Sequence, residues 1–274
     1  MLSHQIKNLD QTILSDHPHM LIVDDDPDIL ASIKDVLELE IYSCSIDIAS
    51  DITQAKKLAQ QTPPDIALLD IKLGQDNGLD LIPALKQIRE DTACIMMTAY
   101  HDDTYTVRAI RFGANDYLFK PVKPVDLIKT VKRLLYSQAL KKELTLTEAR
   151  FRTVFEQAHQ WMFLLDNNGR LIDANETALT FIDKTKKSVT NVFFWDTPWW
   201  QSSPIAQESI RSGFTKVLCG ETFQTEINLW ENEQDYQTFD LSMKPVPDDT
   251  GIYQIIVECW DVSDHKKTRM ASDH

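Results

Sequence analysis

Five short apolar runs, each followed by a stretch with helical spacing, constrain most strongly what this chain can fold into. Four of them end in chemically active side chains. Met20 to Val23 leads into Asp24, Asp25 and Asp26; Ile66 to Leu69 into Asp70; Ala93 to Met97 into Thr98; and Tyr117 to Phe119 into Lys120. Runs without polar alternation are what strands buried on both faces look like. The spacing predicts strands near 20–24, 44–49, 65–70, 93–98 and 115–119, alternating with helices over about 120 residues, as in an α/β domain with a doubly wound, five-stranded parallel sheet. In such a sheet the carboxyl ends of the strands share one edge, where ligands bind. The acids, the hydroxyl and the lysine are therefore expected to converge, far apart though they lie in sequence.

The first helix opens with Asp26 and Pro27, a capping acceptor followed by proline at the first helical position, and then places Ile29, Leu30, Ile33, Val36 and Leu37 on one face. Asp26 is thus expected to cap, which leaves Asp24 and Asp25 at the strand end as the functional pair. A one-residue slip of the boundary would promote Asp26 instead. A lone aspartate such as Asp70 after a strand is ordinarily a cap or a solvated loop residue, but this one has partners. Two carboxylates about 4 Å apart repel by about 4 kcal/mol at an effective dielectric of 20, so three at one edge take up protons or a cation. Mg²⁺ suits the set, because it binds through one or two carboxylates while keeping water and phosphate oxygens. Asp70 can then act as a nucleophile toward a phosphoryl group, with Lys120 neutralising the transferred oxygens and Thr98 donating to the product. The plain alternatives are Thr98 as a helix cap and Lys120 as a solvated charge. Pro121 argues against the latter, because it restricts the backbone of the residue before it.

These residues resemble the receiver domain of two-component response regulators. The match is carried by LIVDDDPDIL at 21–30, PDIALLDIKLGQDNGLDLI at 64–82, CIMMTAY at 94–100 and GANDYLFKPV at 113–122. The resemblance implies Asp70 as phosphoacceptor; Mg²⁺ held by Asp24, Asp25, Asp70 and the backbone carbonyl of Lys72; Thr98 and Lys120 as phosphoryl contacts; and Tyr117 as an aromatic switch. Lys72 and Tyr100 stand where the family tunes access of water to the phosphoryl group. One departure is plain: the loop after the phosphoacceptor commonly carries a proline, and Leu73, Gly74 and Gln75 do not supply one. The implied partners are a sensor histidine kinase or a histidine phosphotransfer protein. An enzyme is not expected, since an aspartyl phosphatase would want a second acid two residues after Asp70, where Lys72 stands.

No Pro or Gly occurs from 125 to 168, so the helix beginning near Val125 is expected to continue as a connecting helix to Phe151. Leu140, Leu144, Thr147, Phe151 and Val154 keep steps of four and three, the seam of a short coiled coil, with a phase offset near 136–140. Homodimerisation through this helix is one reading, and packing of the stripe on the following domain is the other. Beyond it come a strand at Trp161–Leu165, a turn at Asp166–Gly169, a strand at Leu171–Asp173, a helix at Ala174–Phe181, an aromatic loop at Phe193–Trp200, a helix at 204–218 and strands at 221–230, 236–246 and 252–262. Two strands, helices and three strands make an α+β domain with an antiparallel sheet. It resembles a PAS domain in FRTVFEQAHQWMFLLDNNGRLIDANETAL at 151–179 and ECWDVSDHKK at 258–267. Trp195, Trp199 and Trp200 read more simply as core than as a pocket lining. His159 precedes the first strand and Cys219 lies outside the arrangement of a photoreactive flavin site, so neither haem nor flavin is expected.

The expected organisation is an extension at 1–18, a receiver at 19–137, a helical linker at 138–150, a PAS domain at 151–265 and a tail at 266–274. A formal charge of −14 argues against a nucleic-acid surface. No apolar run reaches the ~20 residues of a membrane helix, and the first residues lack a signal-peptide core, so a cytoplasmic protein is expected. Cys44, Cys94, Cys219 and Cys259 have no metal or redox spacing and read as reduced thiols. His265 lacks the neighbours of a phosphoacceptor histidine, and no output module follows it. A piece of a larger hybrid kinase or other regulator, or a non-phosphorylated scaffold, are the alternatives to a phosphorylation-controlled relay.

Overall fold

The computed structural model describes residues 17–41, 43–99, 112–230, 236–246 and 254–263. The chain divides into two compact units, Met1–Leu146 and Thr147–His274. In the first, β1 (His19–Val23), α1 (Pro27–Glu40), β2 (Ser45–Ala49), α2 (Ile52–Gln61), β3 (Ile66–Asp70), a small hairpin of β4 (Lys72–Leu73) and β5 (Asp76–Asn77), α3 (Leu81–Ile88), β6 (Ala93–Thr98), β7 (Asp116–Phe119) and the start of α4 (Pro124–Gln157) follow one another. The helix expected between the fourth and fifth long strands falls on residues 100–111, outside the described residues.

The five long strands form one sheet in the order β2, β1, β3, β6, β7, with every pairing parallel. Successive side chains point to opposite faces, and the core divides accordingly. Met20, Ile22, Ile66, Leu68, Ile95 and Met97 meet Leu30, Ile33 and Leu37 of α1 and Leu127, Val131, Leu134 and Leu135 of α4. Leu21, Val23, Ala67, Leu69, Cys94 and Met96 meet Ala55 and Ala59 of α2 and Leu81, Ile82 and Leu85 of α3. Helices on both faces bury the central strands, which is why β3 and β6 carry no polar residue but their last, Asp70 and Thr98, and β1 none after His19. The order reverses at β1 and β3, so the crevice of this sheet opens between the residues that follow those two strands.

Asp26 caps α1, its carboxylate accepting from the N–H groups of Asp28 and Ile29, with Pro27 at the first turn. The start of α1 therefore stands where the sequence places it. The hairpin at 72–77 replaces an expected loop. Leu73 pairs with Asp76, leaving Gly74 and Gln75 as its two central residues.

The second unit holds β8 (Trp161–Leu165), β9 (Leu171–Ala174), α5 (Glu176–Ile182), α6 (Lys186–Val189), two 3₁₀ turns at Phe194–Asp196 and Pro198–Trp200, α7 (Pro204–Val217), β10 (Phe223–Trp230), β11 (Tyr236–Val246) and β12 (Gln254–Asp261). Its sheet runs β10, β11, β12, β8, β9, all antiparallel. Phe163, Phe194, Trp199 and Trp200 are fully or almost fully buried with Leu241, Met243, Ile255 and Val257. The indoles thus fill the core, and Trp199 Nε1–H satisfies its polar end on the Ala178 carbonyl at 2.8 Å. Asn175 organises the entry to α5. Its Oδ1 accepts from the N–H groups of Met162 and Ala178, and its Nδ2 donates to the carbonyls of Ala158 and Gln160.

The connecting helix is longer than expected at its far end. Within the first unit its contacts pass residue 137: Gln138 Nε2 donates to the carbonyls of Asp65, at 3.0 Å, and Asp91, at 2.7 Å, while Lys141 pairs with Asp91 at 2.6 Å. These contacts account for the phase offset near 136–140, because that turn serves the floor of the first unit rather than the stripe. Leu140, Leu144, Phe151 and Val154 are exposed. Among the described residues no helix is long and apolar enough to cross a membrane.

Candidate phosphoryl-transfer site

At the carboxyl edge of the parallel sheet, Asp24 follows β1, Asp70 ends β3, Thr98 ends β6 and Lys120 follows β7. One donor oxygen from each of Asp24, Asp25 and Asp70 lies within 4.8 Å of the others. Asp24 is fully buried and Asp70 is 6% exposed, whereas Asp25 is open to solvent. The Lys120 ammonium bridges the two buried acids, 2.6 Å from Asp24 Oδ2 and 3.0 Å from Asp70 Oδ1. The other oxygen of Asp24 accepts from the Asp26 N–H at 3.0 Å. The Lys120–Pro121 peptide is cis.

Burial pushes the Asp70 carboxyl pKa up; the hydrogen bond and charge of Lys120 pull it down, Asp24 and Asp25 push it up again, and the net direction is upward. For Lys120, burial works against the ammonium, but its bonds to Asp24 and Asp70 outweigh burial and raise its pKa. Three carboxylates against one ammonium leave two uncompensated negative charges in a half-enclosed space. That donor set fits a hard divalent cation with oxygen preference, such as Mg²⁺.

Thr98 is buried at the end of β6, and its carbonyl accepts the Lys120 N–H at 2.7 Å, which ties the hydroxyl-bearing and lysine-bearing strand ends together. Tyr117 is 39% exposed and meets Phe119 edge to face at 5.2 Å, on the outer face of the edge strand β7. Tyr117 is not among the acids of the cluster. Lys72 is exposed in β4, two residues beyond Asp70. Tyr100 lies outside the described residues.

Two site residues had no side chain to announce them. A Cβ on Gly78 would stand 1.9 Å from the Asp70 carbonyl oxygen, so only glycine lets the hairpin close against Asp70. The Gly78 N–H also donates to the Ile71 carbonyl at 2.9 Å. Gly74, whose φ is +60°, turns its N–H onto Asp25 Oδ2 at 3.0 Å. A glycine after a strand-end aspartate was the one available sequence signal for Gly78.

An open parallel α/β sheet with three acids, a hydroxyl and a lysine at its switch point is the architecture of a receiver domain. The family models agree: residues 20–132 match the response regulator receiver domain and residues 149–212 match the PAS domain, so the chain carries a receiver domain followed by a PAS domain. Among curated relatives it is 33% identical over 119 residues to the acid tolerance regulatory protein ActR of Sinorhizobium medicae, covering 43% of this chain and 60% of ActR. It is 35% identical over 118 residues to the transcriptional regulatory protein PrrA of Mycobacterium leprae, covering 43% of this chain and 50% of PrrA. The chain thus spans 60% or less of the length of these relatives. A CheY-like receiver domain from Methanospirillum hungatei is 33% identical, with 46% of this chain and 98% of that one covered and a TM-score of 0.42. The first unit is thus similar to the receiver portions of these regulatory proteins.

Proposed function

We propose that this chain is a phosphorylation-controlled relay in which Asp70 accepts a phosphoryl group from the phosphohistidine of a sensor kinase or phosphotransfer protein. The supporting observation is the bridge of Lys120 between Asp24 and Asp70 at a sheet edge that also gathers Asp25 and Thr98. The Asp70 carboxylate attacks phosphorus, its O–P bond forming as the N–P bond of the donor breaks. The departing imidazole keeps the electron pair and takes up a proton. Lys120, already seated on Asp70, neutralises charge on the transferred oxygens. Mg²⁺, held by Asp24, Asp25, Asp70 and the Lys72 carbonyl, supplies further positive charge to those oxygens when bound.

The Thr98 hydroxyl donates to the aspartyl phosphate. A charge-assisted contact of this kind is worth about 1.5–3 kcal/mol, enough to shift a modest two-state equilibrium. Tyr117 responds on the outer face of β7, and α4 carries the change toward the PAS domain. The exposed stripe of Leu140, Leu144, Phe151 and Val154 supports homodimerisation through that helix. The role is that of a signalling module rather than an enzyme with its own substrate.

The test is incubation with acetyl phosphate and Mg²⁺ followed by intact-mass analysis. Wild type is expected to gain one phosphoryl group and Asp70→Asn none. A wild type inert to acetyl phosphate and to histidine-phosphorylated donors would leave a binding scaffold instead.

A further inference from the structure

The solvent-side acid of the cluster is held by a backbone group. Asp25 is the exposed member, and an exposed aspartate rotates among several carboxylate orientations unless something fixes it. Here the Gly74 N–H donates to its Oδ2 at 3.0 Å, from 49 residues further along the chain. Gly74 is the first central residue of the β4–β5 hairpin, and of the two central residues it alone has a positive φ, the pattern of a tight two-residue turn. The same hairpin is fixed at its base, where Gly78 closes against the Asp70 carbonyl and bonds Ile71. It is therefore anchored at one end on the backbone of the phosphoacceptor and at its tip on Asp25. A proline at 74 could not make the second anchor, having no N–H.

We propose that the Gly74 N–H is the positioning group of the cation site: by holding one oxygen of Asp25 it orders this carboxylate before the ion arrives. The inference rests on reading the acidic cluster as a Mg²⁺ site. Partners that hydrogen-bond a metal-ligating carboxylate orient it, and their loss typically weakens metal binding by about 10- to 100-fold. Asp24 is already ordered by the Asp26 N–H and Lys120, and Asp70 by Lys120. Among the described residues no cationic side chain pairs with Asp25, so the tether supplies the order that burial and Lys120 give the other two. It also links ion binding to the hairpin that carries the Lys72 carbonyl.

The test compares Mg²⁺ binding by calorimetry to the full chain as wild type, Gly74→Ala and Gly74→Pro. Alanine reaches a φ of +60° at a modest cost, with nothing within 4 Å of its Cβ, and keeps the donor, whereas proline, whose ring fixes φ at about −65°, removes the donor and the turn shape together, so Gly74→Pro is also placed in an Asp25→Ala background. Gly74→Pro is expected to bind Mg²⁺ about 10-fold or more weakly than wild type and clearly more weakly than Gly74→Ala. Loss of the proline effect when Asp25 is already alanine assigns it to the tether, whereas the same fold-weakening in both backgrounds assigns it to turn shape and overturns the proposal, as would unchanged affinity in Gly74→Pro. Circular dichroism checks that each variant is folded. If the proline variant is not, hydrogen exchange of the Gly74 amide in wild type decides: protection kept or increased on Mg²⁺ addition supports the tether, and protection lost overturns it. A wild type that binds no Mg²⁺ would instead refute the site reading from which the proposal starts.

Discussion

Replacing Lys120 by methionine, which keeps the length of the stem and removes the charge, should cost the receiver unit about 3–5 kcal/mol at pH 7.5, the usual price of breaking a buried ion pair from one side. The ammonium lies 2.6 Å from Asp24 and 3.0 Å from Asp70, and at an effective dielectric of 20 each contact is worth about 6 kcal/mol of attraction before desolvation is subtracted. Without it, three carboxylates with donor oxygens within 4.8 Å face one another unscreened. The loss has a ceiling, because one acid can always take a proton. Protonating an ordinary aspartate at pH 7.5 costs about 5 kcal/mol, and at pH 5.5 about 2 kcal/mol. The destabilisation should therefore fall to about 2 kcal/mol or less at pH 5.5, a decrease of about 1–3 kcal/mol. Urea unfolding of the full chain measures it. All six tryptophans lie between Trp161 and Trp260, so their fluorescence follows the PAS unit as an internal control while far-UV circular dichroism reports both units. A loss below about 1 kcal/mol at pH 7.5, or an equal loss at both pH values, would refute the reasoning that Lys120 compensates buried charge.

Gly78→Ala forces a Cβ against the Asp70 carbonyl at 1.9 Å and should destabilise the receiver unit by about 3 kcal/mol or more, read by the same unfolding curves. Because the Asp70 pKa is raised, chiefly by burial, the folded unit holds its proton more tightly than the unfolded chain does. Its contribution to stability is present below the ordinary carboxylate range and is lost as pH rises through the raised value, so Asp70→Asn should gain stability over wild type at pH 7 and lose that advantage in acid. For the same reason the rate of phosphorylation by acetyl phosphate should fall as pH drops through the raised value, because the carboxylate is the attacking form. Asn175→Ala removes four hydrogen bonds from a fully buried position and should cost the PAS unit about 3 kcal/mol, seen as an earlier tryptophan-fluorescence transition.

The strands and the acids were legible because a parallel sheet buried on both faces leaves its chemistry in the first polar residue after each run. Asp24, Asp70, Thr98 and Lys120 stand out against Ile22, Leu69, Met97 and Phe119 for that reason. Asp26 was legible as a cap because Pro27 follows it. The hairpin at 72–77 was not: its strands are two residues long, and Asp76 and Asn77 have the composition of a loop. Gly74 and Gly78 act through an N–H and through a missing Cβ, neither of which has a periodicity to detect. Gln138 and Lys141 were hidden in a helix whose polar residues read as solvated, since their partners are two backbone carbonyls and an acid more than 40 residues away.

The bonds from Gln138 and Lys141 to the loops at Asp65 and Asp91 bear on where the chain can be divided. A cut at residue 137 would leave the receiver with two carbonyls stripped of their donor and an acid without its counterion, so a separated receiver should retain residues through Leu146. A protease meeting the intact chain would find the helix up to Lys141 tied down by these bonds, and the exposed turns at 142–154 more open to cleavage.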